Sequence, residues 1–143
     1  MVTTMTLKEL LDVLLCMHGT FILRHELGSM ELHGNDFYLS SYNEWLTIYH
    51  TTAPKNPESR SHFHIKWSTL RSAAIEREEG HTPNLALYTT PEPLGEAPLV
   101  WIFPSFYDWA NNKAEIPANQ ARYEAFVQQY GTLLQLCEPA SEA

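Results

Sequence analysis

Two histidines and a lysine alternate along one short segment, His62-Phe63-His64-Ile65-Lys66-Trp67. In a β-strand successive side chains point to opposite faces, so His62, His64 and Lys66 are predicted to share one face. Two imidazoles at this spacing can reach a single metal ion or ligand. Alternatively, one imidazole binds a haem iron while Lys66 pairs with a propionate. The spacing alone favours the simpler interpretation, in which the polar face meets water and the apolar residues between form the core.

His25 is the second histidine of interest, because alternation places it on the same face as Phe21, Leu23 and Leu27 of a predicted strand. The nitrogens of a histidine on an apolar face need hydrogen-bond partners. One interpretation is a core histidine bonded to a backbone carbonyl, which is the commoner case. The other is a ligand or distal group in an apolar pocket.

Other catalytic arrangements are poorly supported by the sequence. The His62-x-His64 pair is spaced like the metal strand of cupins, but the next acid, Glu76, falls on another predicted strand. There is no Gly-x-Ser-x-Gly turn, and neither Cys16 nor Cys137 has a helix-N-terminal or basic setting that would activate a thiol. The six glycines are scattered singly, so no glycine-rich phosphate loop is predicted.

Aromatic residues are dense in the second half of the chain. The set comprises Tyr88, Trp101, Phe103, Phe106, Tyr107 and Trp109. The favoured interpretation is sheet core and helix docking, although a flat porphyrin would also select such a lining. Tyr123 and Tyr130, on a predicted helix, are assigned to packing.

Two helices are predicted to flank the strands. Thr6-Leu7-Lys8-Glu9 fits a capping box, and leucines from Leu7 to Leu15 follow at helical spacing. Gly19 is expected to provide a left-handed C-cap. Pro117 is suited to the first turn of the second helix, which Gly131 is expected to end.

Between the helices the period changes to two, and short turns separate the apolar runs. Strands are predicted at residues 20–27, 30–33, 37–42, 45–51, 62–67, 73–79, 84–89 and 98–103, with turns at 28–29 and 34–36. We expect residues 53–61 to form the most mobile loop and residues 138–143 a disordered tail. The order predicts one α+β domain spanning 1–143, with an ordered core at 7–136 and a mostly antiparallel sheet of about seven to nine strands. No helical crossover supports parallel βαβ units.

The composition narrows the classes of partner. The formal net charge is −8 with histidine neutral, which disfavours binding to nucleic acid or to an anionic membrane surface. Two unpaired cysteines and the lack of a recognisable secretory leader favour a cytoplasmic protein with reduced thiols. The sequence has no apolar run long enough to span a membrane.

Four stretches of the chain together resemble a known family. They are His64-Ile65-Lys66-Trp67, Ala73-Ala74-Ile75-Glu76-Arg77-Glu78, Leu99-Val100-Trp101-Ile102-Phe103, and the predicted helix from Pro117 to Tyr130-Gly131. Their order and spacing resemble the cytosolic haem utilisation and trafficking proteins of the ChuX/HutX type, most closely the short members of cyanobacterial type that are described as haem-binding. The likeness runs from Leu7 to about Leu134. It implies a split-barrel-like antiparallel fold, usually as a homodimer, with haem in a pocket beside the sheet.

The resemblance also implies roles for individual residues. The family's strand histidine, which would be the axial ligand of the haem iron, falls on His64, and an earlier strand histidine falls on His25. The family's middle strand often carries Arg and His, but residues 38–44 here have neither, so Arg24, Lys66 and Arg71 are the available partners for propionates. Independently of the resemblance, the aromatic character of Tyr88 and Trp101 leads us to expect that they contact the ring.

The expected function is therefore haem binding for intracellular storage, trafficking or utilisation, without catalysis. One alternative is a dimeric scaffold or interaction domain of the same fold that has lost haem. A third possibility is oxygen-dependent haem degradation, which the sequence does not separate from transport. The two functions that involve haem require His64 to project into an apolar slot wide enough for a flat macrocycle, and the absence of such a slot would favour the scaffold.

Overall fold

The computed structural model describes residues 2–33, 37–50 and 62–138. The strands are β1 (Thr3–Thr6), β2 (Thr20–His25), β3 (Gly28–His33), β4 (Phe37–Tyr42), β5 (Trp45–His50), β6 (His62–Lys66), β7 (Ser72–Glu76), β8 (Asn84–Tyr88), β9 (Leu99–Ile102), β10 (Tyr107–Asp108), β11 (Ala114–Glu115) and β12 (Leu133–Cys137), and the helices are α1 (Leu7–Leu15) and α2 (Pro117–Tyr130). The predicted α+β class is confirmed. The turn predicted at 34–36, the loop at 53–61 and most of the predicted tail lie outside the described residues.

Helix α1 begins where the capping box predicts. The Thr6 hydroxyl accepts a hydrogen bond from the Glu9 amide at 3.0 Å, and the Glu9 carboxylate accepts one from the Thr6 amide at 2.8 Å. The apolar spacing then buries Leu7, Leu10, Leu11 and Leu14 in the core. The capping box and the leucine stripe therefore fix both the start of α1 and its orientation.

A seven-stranded sheet has the order β1-β12-β7-β8-β9-β2-β3. Every pairing in it is antiparallel except β1 with β12, which run parallel at one edge. Neither β1 nor β12 was predicted, because each is short and polar at alternate positions. The prediction of a mostly antiparallel sheet is confirmed, and the single parallel pair lies at the edge where the two ends of the described chain meet.

One face of this sheet forms the main core. Phe21, Trp101 and Leu85 are fully buried there, together with the leucines of α1 and with Tyr123 and Phe126 of α2. A smaller apolar cluster around Ala86, Tyr88 and Val100 lies on the opposite face. This division follows from strand alternation, which sends neighbouring residues of β8 and β9 to opposite sides.

A separate three-stranded sheet has the order β4-β5-β6, and β10 with β11 makes a small hairpin. Leu46, Ile48 and Ile65 of the three-stranded sheet are buried in the main core, and Phe63 makes an edge-on contact with Phe21 of β2, with ring centroids 5.7 Å apart. The sheets are open among the described residues rather than closed into a barrel, and the split-barrel arrangement stays a prediction.

Gly19 does not provide the predicted left-handed C-cap. Cys16 is the C-cap of helix α1 instead, and Gly19 is absent from the glycines with positive φ. A Cβ at Gly19 would meet Cζ2 of the Trp101 indole and lie 2.5 Å from the Ile102 carbonyl oxygen. The glycine is needed for a close approach of the backbone to Trp101. Gly131, by contrast, ends α2 as predicted, with φ of 80°.

Neither helix in the described part of the chain has the length and apolar character required to cross a bilayer.

Candidate functional site

The face of the three-stranded sheet turned away from the core carries the histidines of the His62-x-His64 segment. Register pairs Ser40 with Thr47 and Thr47 with His64, so these three residues form one row across β4, β5 and β6. Tyr42, Trp45 and Lys66 form the next row, and Tyr49 lies opposite His62. We call this surface the aromatic face and define it as Ser40, Tyr42, Trp45, Thr47, Tyr49, His62, His64 and Lys66.

Strand alternation explains why the segment has a polar and an apolar side. Phe63 is half-buried and Ile65 buried against the core, while His62 and His64 are exposed. The predicted sharing of one face by His62, His64 and Lys66 is confirmed. The predicted core side is confirmed for Phe63 and Ile65.

The ring of His64 is held by a hydrogen bond with its neighbour on β5. Thr47 Oγ1 lies 2.7 Å from His64 Nδ1. Thr47 is only 7% exposed, so its side chain is held in place by packing, and the hydroxyl that contacts the His64 ring is fixed with it. When Nδ1 carries the ring proton and donates it to Thr47, the lone pair stays on Nε2, which is the arrangement that metal-bound histidines use.

Aromatic side chains surround this histidine. The Trp45 ring lies edge-on to the His64 ring with centroids 6.3 Å apart, and the His62 ring lies 5.0 Å from it. Tyr49 in turn contacts His62, with ring centroids 5.1 Å apart. The result is a continuous strip of flat side chains along β5 and β6.

A groove of about 420 Å³ runs over the aromatic face. Its lining residues are Ser40, Tyr42, Trp45, Thr47, Tyr49 and His64. The volume is within the range typical of small-molecule sites. The groove is an open surface feature, which differs from the enclosed slot expected beside His64, because only three strands form its floor.

Lys66 is the cation of the aromatic face. Its ammonium lies 3.6 Å from the Glu44 carboxylate and 5.9 Å from the centre of the Trp45 ring. Both Lys66 and Glu44 are about half exposed, so the ion pair is weak and exchangeable. Lys66 can therefore leave Glu44 and pair with an incoming anion at little cost in free energy.

The structure places His25 away from this arrangement of rings. It stands at the exposed end of the β2–β3 hairpin, and Leu27, expected on its apolar face, is 95% exposed. The Leu27 amide donates a hydrogen bond to His25 Nδ1 at 3.3 Å. Alternation along β2 was predicted correctly, but the strand extends beyond the core, so the expectation of an apolar setting for His25 is wrong.

Three other predicted site residues lie elsewhere in the fold. Trp101 is fully buried in the main core, with its ring centroid 4.7 Å from that of Phe21. Arg24 and Tyr88 lie on the opposite face of the seven-stranded sheet, where Arg24 is 3.9 Å from Glu96. Of the six predicted cofactor-binding residues, the structure brings together His64 and Lys66.

Tyr88 has the most perturbed acid–base chemistry in the described chain. Burial, and after it the hydrogen bond that the phenol donates to Glu76 at 2.8 Å, together raise the pKa of the phenol to about 12. The phenol therefore stays protonated at neutral pH. This makes Tyr88 a structural hydrogen-bond donor on the outer side of the sheet.

Within residues 2–33, 37–50 and 62–138, no three His, Cys, Asp or Glu side chains are grouped to hold a bare metal ion. A haem iron requires only one such side chain, because the porphyrin supplies the equatorial nitrogens. The thiols of Cys16 and Cys137 are exposed and are not paired with each other.

Sequence reasoning missed Thr47, Trp45, Tyr49 and Tyr42, which complete the groove around His64. The signal was present in the segment Trp45-Leu46-Thr47-Ile48-Tyr49, where apolar and polar or aromatic residues alternate. Alternation within one strand does not reveal the register that places Thr47 opposite His64, because the pairing between strands depends on tertiary structure.

Comparison of the chain with models of known protein families finds no match, and comparison with curated proteins finds none either.

Proposed function

We propose that the protein binds haem on the aromatic face, with His64 Nε2 as the axial ligand, for storage, trafficking or utilisation in the cytoplasm. The observation that carries the proposal is the 2.7 Å contact between Thr47 Oγ1 and His64 Nδ1 inside an aromatic groove. A hydrogen bond to the far nitrogen orients a ligating imidazole and raises its basicity. Haem bound there would supply an iron centre for storage or for handover to another protein.

The donor set suits a flat macrocycle. Trp45, Tyr42 and Tyr49 provide broad apolar surfaces next to the imidazole, and Tyr42 is 76% exposed, so its ring is available to a ligand. Aromatic rings stabilise planar ligands by burying apolar area and by stacking. An open groove covers one side of such a ligand, which favours exchange with an acceptor protein over permanent retention.

Lys66 is the residue that best fits a propionate. It lies on the same face as His64, two residues along β6. A carboxylate from the ligand would replace Glu44, an exposed partner at 3.6 Å. Arg24, on the opposite face of the other sheet and near Glu96, is not placed for this role.

Titration of the purified protein with haemin, followed by the Soret band, tests the proposal. We expect a saturable transition at one haemin per chain in the wild type and in His25→Ala. His64→Ala should lose or shift the band, because it removes the proposed ligand without touching the core. A wild-type spectrum identical to that of haemin adsorbed on an unrelated protein would overturn the proposal and favour the scaffold alternative.

Two further measurements test the expected homodimer and the alternative of haem degradation. The mass of the haem-loaded protein by size-exclusion chromatography with light scattering tests the homodimer that the family resemblance implies. Incubation of the complex with a reductant and oxygen tests degradation, since loss of the Soret band with release of iron would indicate catalysis. A stable spectrum supports a carrier without turnover.

A further inference from the structure

A second cavity lies at one end of the seven-stranded sheet. Its volume is about 650 Å³, and none of its lining residues belongs to the groove on the aromatic face. It is bounded by the start of β2, the end of β7 and the segment after β9. Its position and lining make it independent of the haem proposal.

One row of paired residues crosses the floor of this cavity. Register places Glu76 of β7 beside Asn84 of β8, Asn84 beside Ile102 of β9, and Ile102 beside Thr20 of β2. All four residues line the cavity. A carboxylate, a carboxamide and a hydroxyl therefore face it from three different strands.

Asn84 has an unmet hydrogen-bonding requirement. Its Oδ1 is buried and has no hydrogen-bond partner in the described part of the chain. A buried oxygen without a donor is costly, so most such atoms in folded proteins are satisfied by a ligand, water or protein group.

The charges around the cavity favour a positively charged ligand. Glu76 and Glu78 contribute two carboxylates, and one oxygen of Glu76 already accepts from the Tyr88 phenol. The one guanidinium in the lining, Arg77, is drawn over the ring of Tyr123, 5.7 Å from its centre. The whole chain adds a net charge of −8, which attracts cations to the site.

An indole stands beside this acidic set. Trp109 lines the cavity and is 64% exposed. The Lys113 ammonium already lies 5.1 Å from the centre of that ring, which shows that the indole accepts a cation over its face. A ligand cation that displaces Lys113 from the ring would have the same attraction.

From the unpartnered Asn84 oxygen, the two carboxylates and the exposed indole, we infer that this cavity binds a small organic cation with N–H donors, a primary amine or a guanidine. Asn84 accepts from the ligand, Glu76 and Glu78 neutralise its charge, and Trp109 covers it. No step of the inference requires haem.

Isothermal titration of the full chain with putrescine and with agmatine tests the inference, with the uncharged diol of the same length as putrescine for comparison. We expect saturable binding of at least one of the two cations and none of the diol. Asn84→Leu should weaken binding about 10-fold, since it removes an acceptor for a charged donor. Glu78→Gln, at an exposed residue, should weaken it about 3-fold.

Glu92→Gln is the matched control, because it makes the same charge change in the loop after the other end of β8. It should leave the affinity unchanged, while circular dichroism checks that Asn84→Leu is folded. Absence of saturable binding by both cations would overturn the inference. Binding of the diol with the same affinity as the cations would also overturn the inference. So would unchanged affinity for the cations in both Glu78→Gln and a folded Asn84→Leu.

Discussion

Thr47 and His64 face each other across β5 and β6, with Thr47 Oγ1 2.7 Å from His64 Nδ1. The pair joins a buried residue to an exposed one, since Thr47 is 7% exposed while His64 borders an open groove. A ring on the surface is thereby oriented by a residue whose own rotamer is fixed by packing. This coupling of a rigid donor or acceptor to an accessible imidazole is the basis of the proposed site.

Removing the Thr47 hydroxyl should weaken haem binding. In Thr47→Val the side chain keeps its size and branching but no longer accepts the proton of His64 Nδ1. Loss of such an outer-shell partner lowers the affinity of a metal site about 10- to 100-fold. The dissociation constant from a haemin titration measures the effect.

Thr47→Ser is the matched control for this change, since it retains the hydroxyl and loses only a methyl group. It should bind haemin with an affinity within about 3-fold of wild type. Equal weakening in the valine and serine variants would mean that packing at position 47, and not the hydrogen bond, controls the site.

Trp45 should contribute to affinity through its ring. Trp45→Ala removes the indole that lies edge-on to His64 at 6.3 Å, and we expect about 10-fold weaker haemin binding. Trp109→Ala removes an even more exposed tryptophan far from the aromatic face and should not change haemin affinity. Fluorescence quenching during the titration reports both results, and a loss of affinity in Trp109→Ala alone would relocate the site.

The helices and most strands could be predicted from the sequence, but the two strands at one edge of the larger sheet could not. Alternation and capping residues are local signals, so the start of α1 at Thr6 and the polar face of β6 could be read directly. The strands β1 and β12 could not, because each is stabilised by its pairing with a remote part of the chain rather than by its own pattern.

Gly19→Ala should destabilise the protein by about 1–3 kcal/mol, because the added methyl group would overlap the Trp101 ring and approach the Ile102 carbonyl oxygen. Urea unfolding measures the loss. The double variant Gly19→Ala/Trp101→Phe should lose less than the sum of its two single variants, since phenylalanine lacks the outer indole atoms that the methyl group meets. Strict additivity would argue against a direct contact.

Tyr88 should make stability depend on pH in the alkaline range. The pKa of its phenol is about 12 in the folded protein, above its ordinary value of 10.0, so folding favours the protonated form. The contribution of the protonated phenol to the free energy of unfolding is complete below pH 10 and is lost as the pH rises through 12. The free energy of unfolding should fall less steeply over this range in Tyr88→Phe than in wild type. Identical slopes in both proteins would contradict the assignment.

The parts of the candidate site that the sequence predicted are those carried by one strand. His64 and Lys66 lie two residues apart on β6, and alternation alone puts them together. Arg24 was grouped with them on its charge, and Tyr88 and Trp101 as aromatic residues suited to a porphyrin. Alternation in β2, β8 and β9 instead sends these three residues to the core or to the far side of the larger sheet. Which sheet a strand joins, and which of its faces is covered, is decided by long-range packing.

The central claim is that the His64 imidazole ligates haem iron, and the resonance Raman spectrum of the ferrous haem complex tests it most directly. We predict an iron–histidine stretching band in the wild type and in His62→Ala, its loss in His64→Gly, and its return when free imidazole is added to His64→Gly. An iron–histidine band that persists unchanged in His64→Gly without added imidazole would contradict the claim.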